Sequence, residues 1–205
     1  VLAETPIFID DSASANIMEI RTKARRLQME HKLGLVVIDY LQLMESRGGG
    51  GGDNRTQEVA EITRGLKSIA RELNIPVIAL SQLSRSVELQ KPAIPRLAHL
   101  RESGSIEQDA DIVMFIYRKA ADKNYRPEDL SPEEQHIAEI HVAKHRNGPT
   151  GVVKLFFDAA RASFRNLQRH DLGAPPALKG APISPGGPLP PGGTPPPMMN
   201  AGQPF

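Results

Sequence analysis

Two short runs of consecutive apolar residues do most to limit the folds open to this chain. Leu35-Val36-Val37-Ile38 closes on Asp39, and Pro76-Val77-Ile78-Ala79-Leu80 closes on Ser81-Gln82. Continuous rather than alternating apolarity predicts strands covered on both faces, as in a parallel sheet. Between them Val59, Ile62, Leu66, Ile69 and Leu73 recur at spacings of three and four, one helical stripe over residues 56–73. Residues 5–10 read as a further strand. Asp10-Asp11-Ser12 is placed to cap a helix over 15–31 whose apolar face is Ile17, Ile20, Ala24 and Leu27. Downstream, 112–117 predicts a strand. Residues 136–144 and 152–157 flank the turn Asn147-Gly148-Pro149-Thr150-Gly151, the pattern of a hairpin. The fold class expected is α/β: a mainly parallel sheet flanked by helices, with an antiparallel hairpin at its edge. In such sheets the chemistry gathers at the carboxyl ends of strands, and Asp39, Gln82, Arg101 and Glu102 all fall at or just after such ends.

Composition removes several classes of function. Hydrophobic residues make up 40% and charged residues 24%, an ordinary balance for a globular protein. No apolar run approaches the roughly 18 residues of a membrane span, and no basic stretch followed by an apolar block marks a leader. Cysteine is absent, which excludes disulfides and thiolate zinc sites and fits a cytoplasmic location. A formal charge of +1 excludes a polycation, so any nucleic-acid contact rests on a few local Lys and Arg side chains. The cluster Arg21, Lys23, Arg25 and Arg26 reads as a solvated helix face rather than a binding patch. The six histidines show no metal-like spacing. The glycines at 48–52 lack the Gly-x-x-x-x-Gly-Lys-Ser/Thr pattern and read as a linker loop rather than a phosphate cradle. Residues 173–205 hold 11 of the 18 prolines and 7 of the 17 glycines, too few apolar side chains to form a core. The expected organisation is therefore one domain over 1–170 and a Pro/Gly-rich, disordered tail over 171–205.

Four segments occur in an order that carries more than composition does. They are Val36-Val37-Ile38-Asp39-Tyr40-Leu41-Gln42-Leu43-Met44, Pro76 through Arg85, Leu100-Arg101-Glu102-Ser103-Gly104-Ser105-Ile106-Glu107-Gln108-Asp109-Ala110-Asp111, and Lys144-His145-Arg146-Asn147-Gly148-Pro149. Together they resemble the DnaB-like family of bacterial replicative DNA helicases, RecA-type ATPases, over about residues 6–166. An apolar strand ending in Asp is a weak signal; the block from Leu100 to Asp111 is specific.

The resemblance implies a role for each segment. Asp39 would be the Walker B acid, holding Mg²⁺ directly or through water beside ATP. Gln82 would be the polar sensor of the γ-phosphate, able to donate and accept at once. Arg101, Glu102 and Gly104 would form the loop that meets single-stranded DNA, by phosphate contact and close backbone approach. Lys144 and Arg146 would be cations reaching across a subunit interface to the γ-phosphate. The partners implied are single-stranded DNA, further copies in a homohexamer, primase and a helicase loader, with 5′ to 3′ translocation. No Gly-Lys-Thr or Gly-Lys-Ser phosphate loop occurs in the sequence. The chain is thus expected to hold the latter part of a motor domain without the phosphate-loop strand, and to turn over ATP poorly alone. Two other readings stay open at this point: a RecA- or RadA-type recombination ATPase, and a non-catalytic fragment that binds DNA or other subunits.

Overall fold

The computed structural model describes residues 5–12, 15–44, 55–100 and 104–168. The glycine loop at 48–52, the proline-rich tail, Arg101 and Glu102 lie outside these described residues. Helix α1 spans Ile17–His31 and α2 spans Arg55–Leu73. Strands β1 (Val36–Ile38) and β2 (Val77–Ala79) pair in parallel, with Ile38 opposite Ala79. A four-stranded antiparallel sheet follows in simple order: β3 (Ile112–Tyr117), β4 (Ile137–His145), β5 (Gly151–Asp158) and β6 (Ser163–Asn166). Two short helices, α3 (Gly104–Asp109) and α4 (Pro132–His136), lead into β3 and β4. The antiparallel part is thus larger than a hairpin, because β3 and β6 extend it on either side.

The stripe on α2 builds the core. Val59, Ile62, Leu66 and Ile69 are buried, and they pack with Leu41 and Met44 beyond β1, Ile106 of α3, and Val113 and Phe115 of β3. Thr63, on the same face, donates its hydroxyl to Asp109 at 2.6 Å and ties α2 to α3. Helix α1 lies close against α2 at Gly65, where a Cβ would fall 2.7 Å from Ile17. Only glycine permits that approach. Arg21 and Arg25 both pair with Glu72 of α2, and Lys23 reaches Asp10 at 2.6 Å. Three of the four cations of this cluster are therefore engaged within the chain.

Two local expectations are corrected. Residues 5–10 form no strand; Asp10 instead accepts from Lys23 and from the Ser12 hydroxyl, and its carboxyl is held down to about 2, chiefly by Lys23. The cap of α1 is Asn16, whose side chain accepts from the Met18 and Glu19 N–H groups at 3.0 Å. Glu19 returns a bond from the Asn16 N–H, completing a capping box that the pair Asn16 and Glu19 spells in the sequence. A third difference concerns coverage. Val37 and Ile78 are about half exposed (55% and 47%), so within the described residues one face of the parallel pair is uncovered. The same holds for Ile112, Met114 and Ile116, which alternate along β3 with buried Val113, Phe115 and Tyr117.

Candidate active site

Asp39 and Gln82 are brought to the same end of the parallel pair. The Leu80 N–H donates to the Ile38 carbonyl, and the Leu41 N–H donates to the Leu80 carbonyl, both at 2.9 Å. These two bonds carry the chains on together past the last strand residues. Gln42 then locks them: its amide donates to the Ser81 hydroxyl at 3.1 Å and accepts from the Gln82 N–H at 3.1 Å. The Gln42 carbonyl in turn accepts from Arg55 at the start of α2. Gln42 was not singled out from the sequence, where it is one polar residue in an apolar segment. Its signal, an amide three residues after the strand-end acid, gains meaning only once β1 and β2 are paired. The Asp39–Tyr40 peptide is cis.

Both side chains at this end are exposed, and neither makes a hydrogen bond or ion pair among the described residues. A strand-end carboxylate with no internal cation beside it is a suitable donor for a hard divalent ion. An amide with both its donor and acceptor unengaged is suited to a phosphate oxygen or a water.

Lys144 and Arg146 sit elsewhere, at the end of β4 next to α3. The β3–β4 register slips between Val113 and Met114, whose partners are Lys144 and Val142. Ala143 is therefore the extra residue of a bulge, and it packs against the core. A bulge re-aims the residue that follows it. Here it directs Lys144 onto the end of α3, where Nζ donates to the Glu107 carbonyl and, at 3.3 Å, to that of Gln108. Arg146 continues the ladder: its N–H donates to the Asp111 carbonyl at 2.8 Å. Its guanidinium reaches the Gln108 carbonyl at 3.2 Å and the Asp111 carboxylate at 3.3 Å. The two cations thus share one side of the strand end, as their spacing of two predicts. In the turn beyond them the His145 imidazole lies over Gly148, where a Cβ would require the ring to move.

Asp111 was missed as a site residue. Its carboxylate is shared between Arg146 and Lys67 of α2. The Lys67 hydrogen bond, helped by the nearby charges of Lys67, Arg146 and Arg71, holds it below the usual carboxylate range. Gly104 opens α3 and is exposed, with nothing within 4 Å of where a Cβ would stand. No hydrogen bond or ion pair among the described residues joins the Asp39–Gln82 end to the Lys144–Arg146 end. Nor do the described residues contain a cluster of three metal-ligating His, Asp or Glu side chains.

The family model for the DnaB-like helicase C-terminal domain matches residues 1–166. The chain belongs to that family. It is 52% identical over 182 residues to the replicative DNA helicase DnaB of Rickettsia bellii, covering 82% of this chain and 36% of that protein. The replicative DNA helicase DnaC of Bacillus subtilis is also 52% identical, over 177 residues, with 85% of this chain and 37% of the relative covered. Among solved structures, one described as an ATPase domain aligns with a TM-score of 0.73 and 40% identity, over 82% of this chain and 57% of that one. A DnaB-like replicative helicase, described with its interactions with primase, aligns with a TM-score of 0.72, also at 40% identity, over 82% of this chain and 39% of that one. The chain therefore spans about a third of the length of these curated relatives and carries the RecA-like fold of DnaB-type ATPase domains. The match across residues 1–166 favours a DnaB-like motor over a recombination ATPase of the RecA or RadA kind. No helix among the described residues is long and apolar enough to cross a membrane.

Proposed function

We propose that this chain is the C-terminal part of the motor of a replicative DNA helicase. In the complete protein that motor couples ATP hydrolysis to 5′ to 3′ movement on single-stranded DNA. The observation that carries the reading is the division of the site into two ends. Among the described residues, one end offers a carboxylate and an amide with no internal partner, and the other offers two cations that make no bond to the first. Such a division suits catalysis between copies in a ring, where Asp39 and Gln82 of one copy meet Lys144 and Arg146 of the next.

In this reading Asp39 orients Mg²⁺, and Gln82 contacts the γ-phosphate or its attacking water. The metal supplies charge neutralisation on the phosphate oxygens. Lys144 and Arg146 exchange their carbonyl partners for phosphate oxygens, which are stronger acceptors because they are charged. The loop at Arg101, Glu102 and Gly104 meets the DNA backbone, so binding weakens with salt and ignores base sequence. The assembly is a hexamer working in the cytoplasm, with primase and a helicase loader as partners; the neighbouring structure's description of primase contacts supports the first of these.

Mixed rings test the division. Arg146→Ala and Asp39→Asn subunits of the complete helicase are each expected to be inactive in ATP turnover. Mixed together they should recover activity, because some interfaces then pair an intact Asp39 with an intact Arg146. If doped rings never exceed the two parents, action across the interface is wrong.

A further inference from the structure

The exposed face of α2 carries Arg64, Lys67 and Arg71, at spacings of three and four that align them along one side of the helix. Arg146 arrives over the same side from the end of β4. The four cations, with Ser68 and Asp109, line a cavity of about 320 Å³. That volume is on the order of ten waters, room for several phosphate groups.

The charges within it are not balanced. Of the two nearby carboxylates, Asp109 is occupied by the Thr63 hydroxyl at 2.6 Å. Asp111 is divided between Lys67 and Arg146. Arg64 spends its Nε on the Ala60 carbonyl at 3.0 Å, and Arg71 only lends its charge to Asp111. Neither arginine has a salt-bridge partner among the described residues. An ordinary solvated helix face pairs its cations with acids a turn away. On this face Glu61 stands one turn before Arg64, whereas the positions a turn from Lys67 and Arg71 within α2 hold no acid.

We propose that this cavity is a phosphate-binding site, with Arg64, Lys67 and Arg71 forming a second row of cations behind Arg146. The ligand is a run of phosphate groups, from either a nucleotide or the backbone of a single strand. Two planar guanidinium forks and a lysine suit such a run, because arginine binds phosphate oxygens in pairs while lysine acts as a point charge. Asp111 is the built-in competitor: in the absence of phosphate it occupies Lys67 and Arg146, and a bound anion displaces it. The site shares Arg146 with the function proposed above but does not rest on that residue acting across an interface.

The test is titration of the full chain by calorimetry with tripolyphosphate and, separately, with a single-stranded oligothymidylate. Thermal unfolding serves as the check on folding. Arg64→Gln/Arg71→Gln should weaken tripolyphosphate, the oligonucleotide or both by about tenfold or more, as loss of two charge-assisted contacts implies. Asp111→Asn should tighten the same probe severalfold, a change that damage to the fold would not produce. Weakening confined to tripolyphosphate assigns the site to nucleotide phosphates, and weakening confined to the oligonucleotide assigns it to the strand backbone. Unchanged affinity in the double arginine variant overturns the proposal, as does the lack of saturable binding of either probe at millimolar concentration. Those results leave the mixed-ring experiment untouched, and failure of the mixed rings leaves these titrations untouched.

Discussion

The two ends of the site are built on opposite principles. At the parallel pair the strands are three residues long, and the side chains of Asp39 and Gln82 stand beyond them without partners among the described residues, the strand ends aligned by two backbone bonds and by Gln42. At the antiparallel sheet the strands run to nine and eight residues, and Lys144 and Arg146 are held by the carbonyls of α3 and by Asp111. Acceptors such as Asp39 and Gln82 can wait in water at little cost. Long cations lose more side-chain entropy when they are fixed, so prior docking lowers the cost of their later use. In the function proposed above, Asp39 meets the phosphate through a divalent cation, and Lys144 and Arg146 meet it directly. What joins the two ends is α2, whose buried stripe touches both.

The most damaging way to break this contrast is at the unpartnered end. Asp39→Asn, in the complete helicase, should lower Mg²⁺-dependent ATP turnover by about a thousandfold, roughly 4 kcal/mol of barrier. Its thermal unfolding should match the parent, because no internal bond is lost. Normal turnover would remove Asp39 from the site.

Next in size comes the helix that joins the ends. Ile62→Ala, at a residue only 1% exposed, should destabilise the fold by about 3 kcal/mol in denaturant unfolding. Phe164→Ala on β6, where the ring is 45% exposed, should cost less than about 1.5 kcal/mol. Equal losses at the two positions would mean that α2 is not the shared core.

A third prediction addresses what stiffens the antiparallel region. Asp122 is buried and accepts from the Tyr117 hydroxyl, the Ala93 N–H, and the N–H and side chain of Asn124, all between 2.8 and 2.9 Å. Burial is the largest single influence and pushes its carboxyl up, but the hydrogen bonds together outweigh it and hold the value below 3.8. Burial and the same carboxylate push the Tyr117 hydroxyl up. Since the folded value of Asp122 is the lower one, its stabilisation is complete above the unfolded value of about 4 and fades as pH falls through the folded value. Asp122→Ala should cost about 2 kcal/mol at neutral pH, and the gap from the parent should narrow as pH falls below the unfolded value of about 4. A pH-independent gap would assign the loss to packing alone.

The smallest effect is expected at Gln42. Gln42→Ala removes the lock between the two strand ends without touching either functional side chain. Stimulation of ATP turnover by single-stranded DNA should fall severalfold, about 1 kcal/mol, with unfolding little changed. If stimulation is unaffected, the alignment of Gln82 by Gln42 has no functional weight.

Periodicity and punctuation made much of this protein legible in advance. The stripe on α2, the polar ends of β1 and β2, and the hairpin around Gly148 follow from local rules of spacing, because side-chain direction repeats with the backbone. The cap of α1 was not legible in this way: the acid-rich segment Asp10-Asp11-Ser12 suggests one cap, and the structure uses Asn16 with Glu19 instead. Residues 5–10 show where such rules stop. Their composition suits a strand, but a strand needs an edge to pair with, and none of the described residues supplies it. Short β6 gave no comparable signal, since Ser163–Asn166 becomes a strand only by pairing with β5.

Local pattern therefore yields most of the elements, the order of the four motifs, and through them the family. The tertiary structure alone decided which residues serve each motif. It brought Gln42 between two strand ends forty residues apart, slipped the register at Ala143 so that Lys144 meets α3, and set Asp111 between Lys67 and Arg146. It also gathered α2 and the end of β4 around one basic cavity. The physical reason is that helix and strand periods act over a few residues. A carboxylate shared by two cations depends instead on distances set by the packing of the whole core.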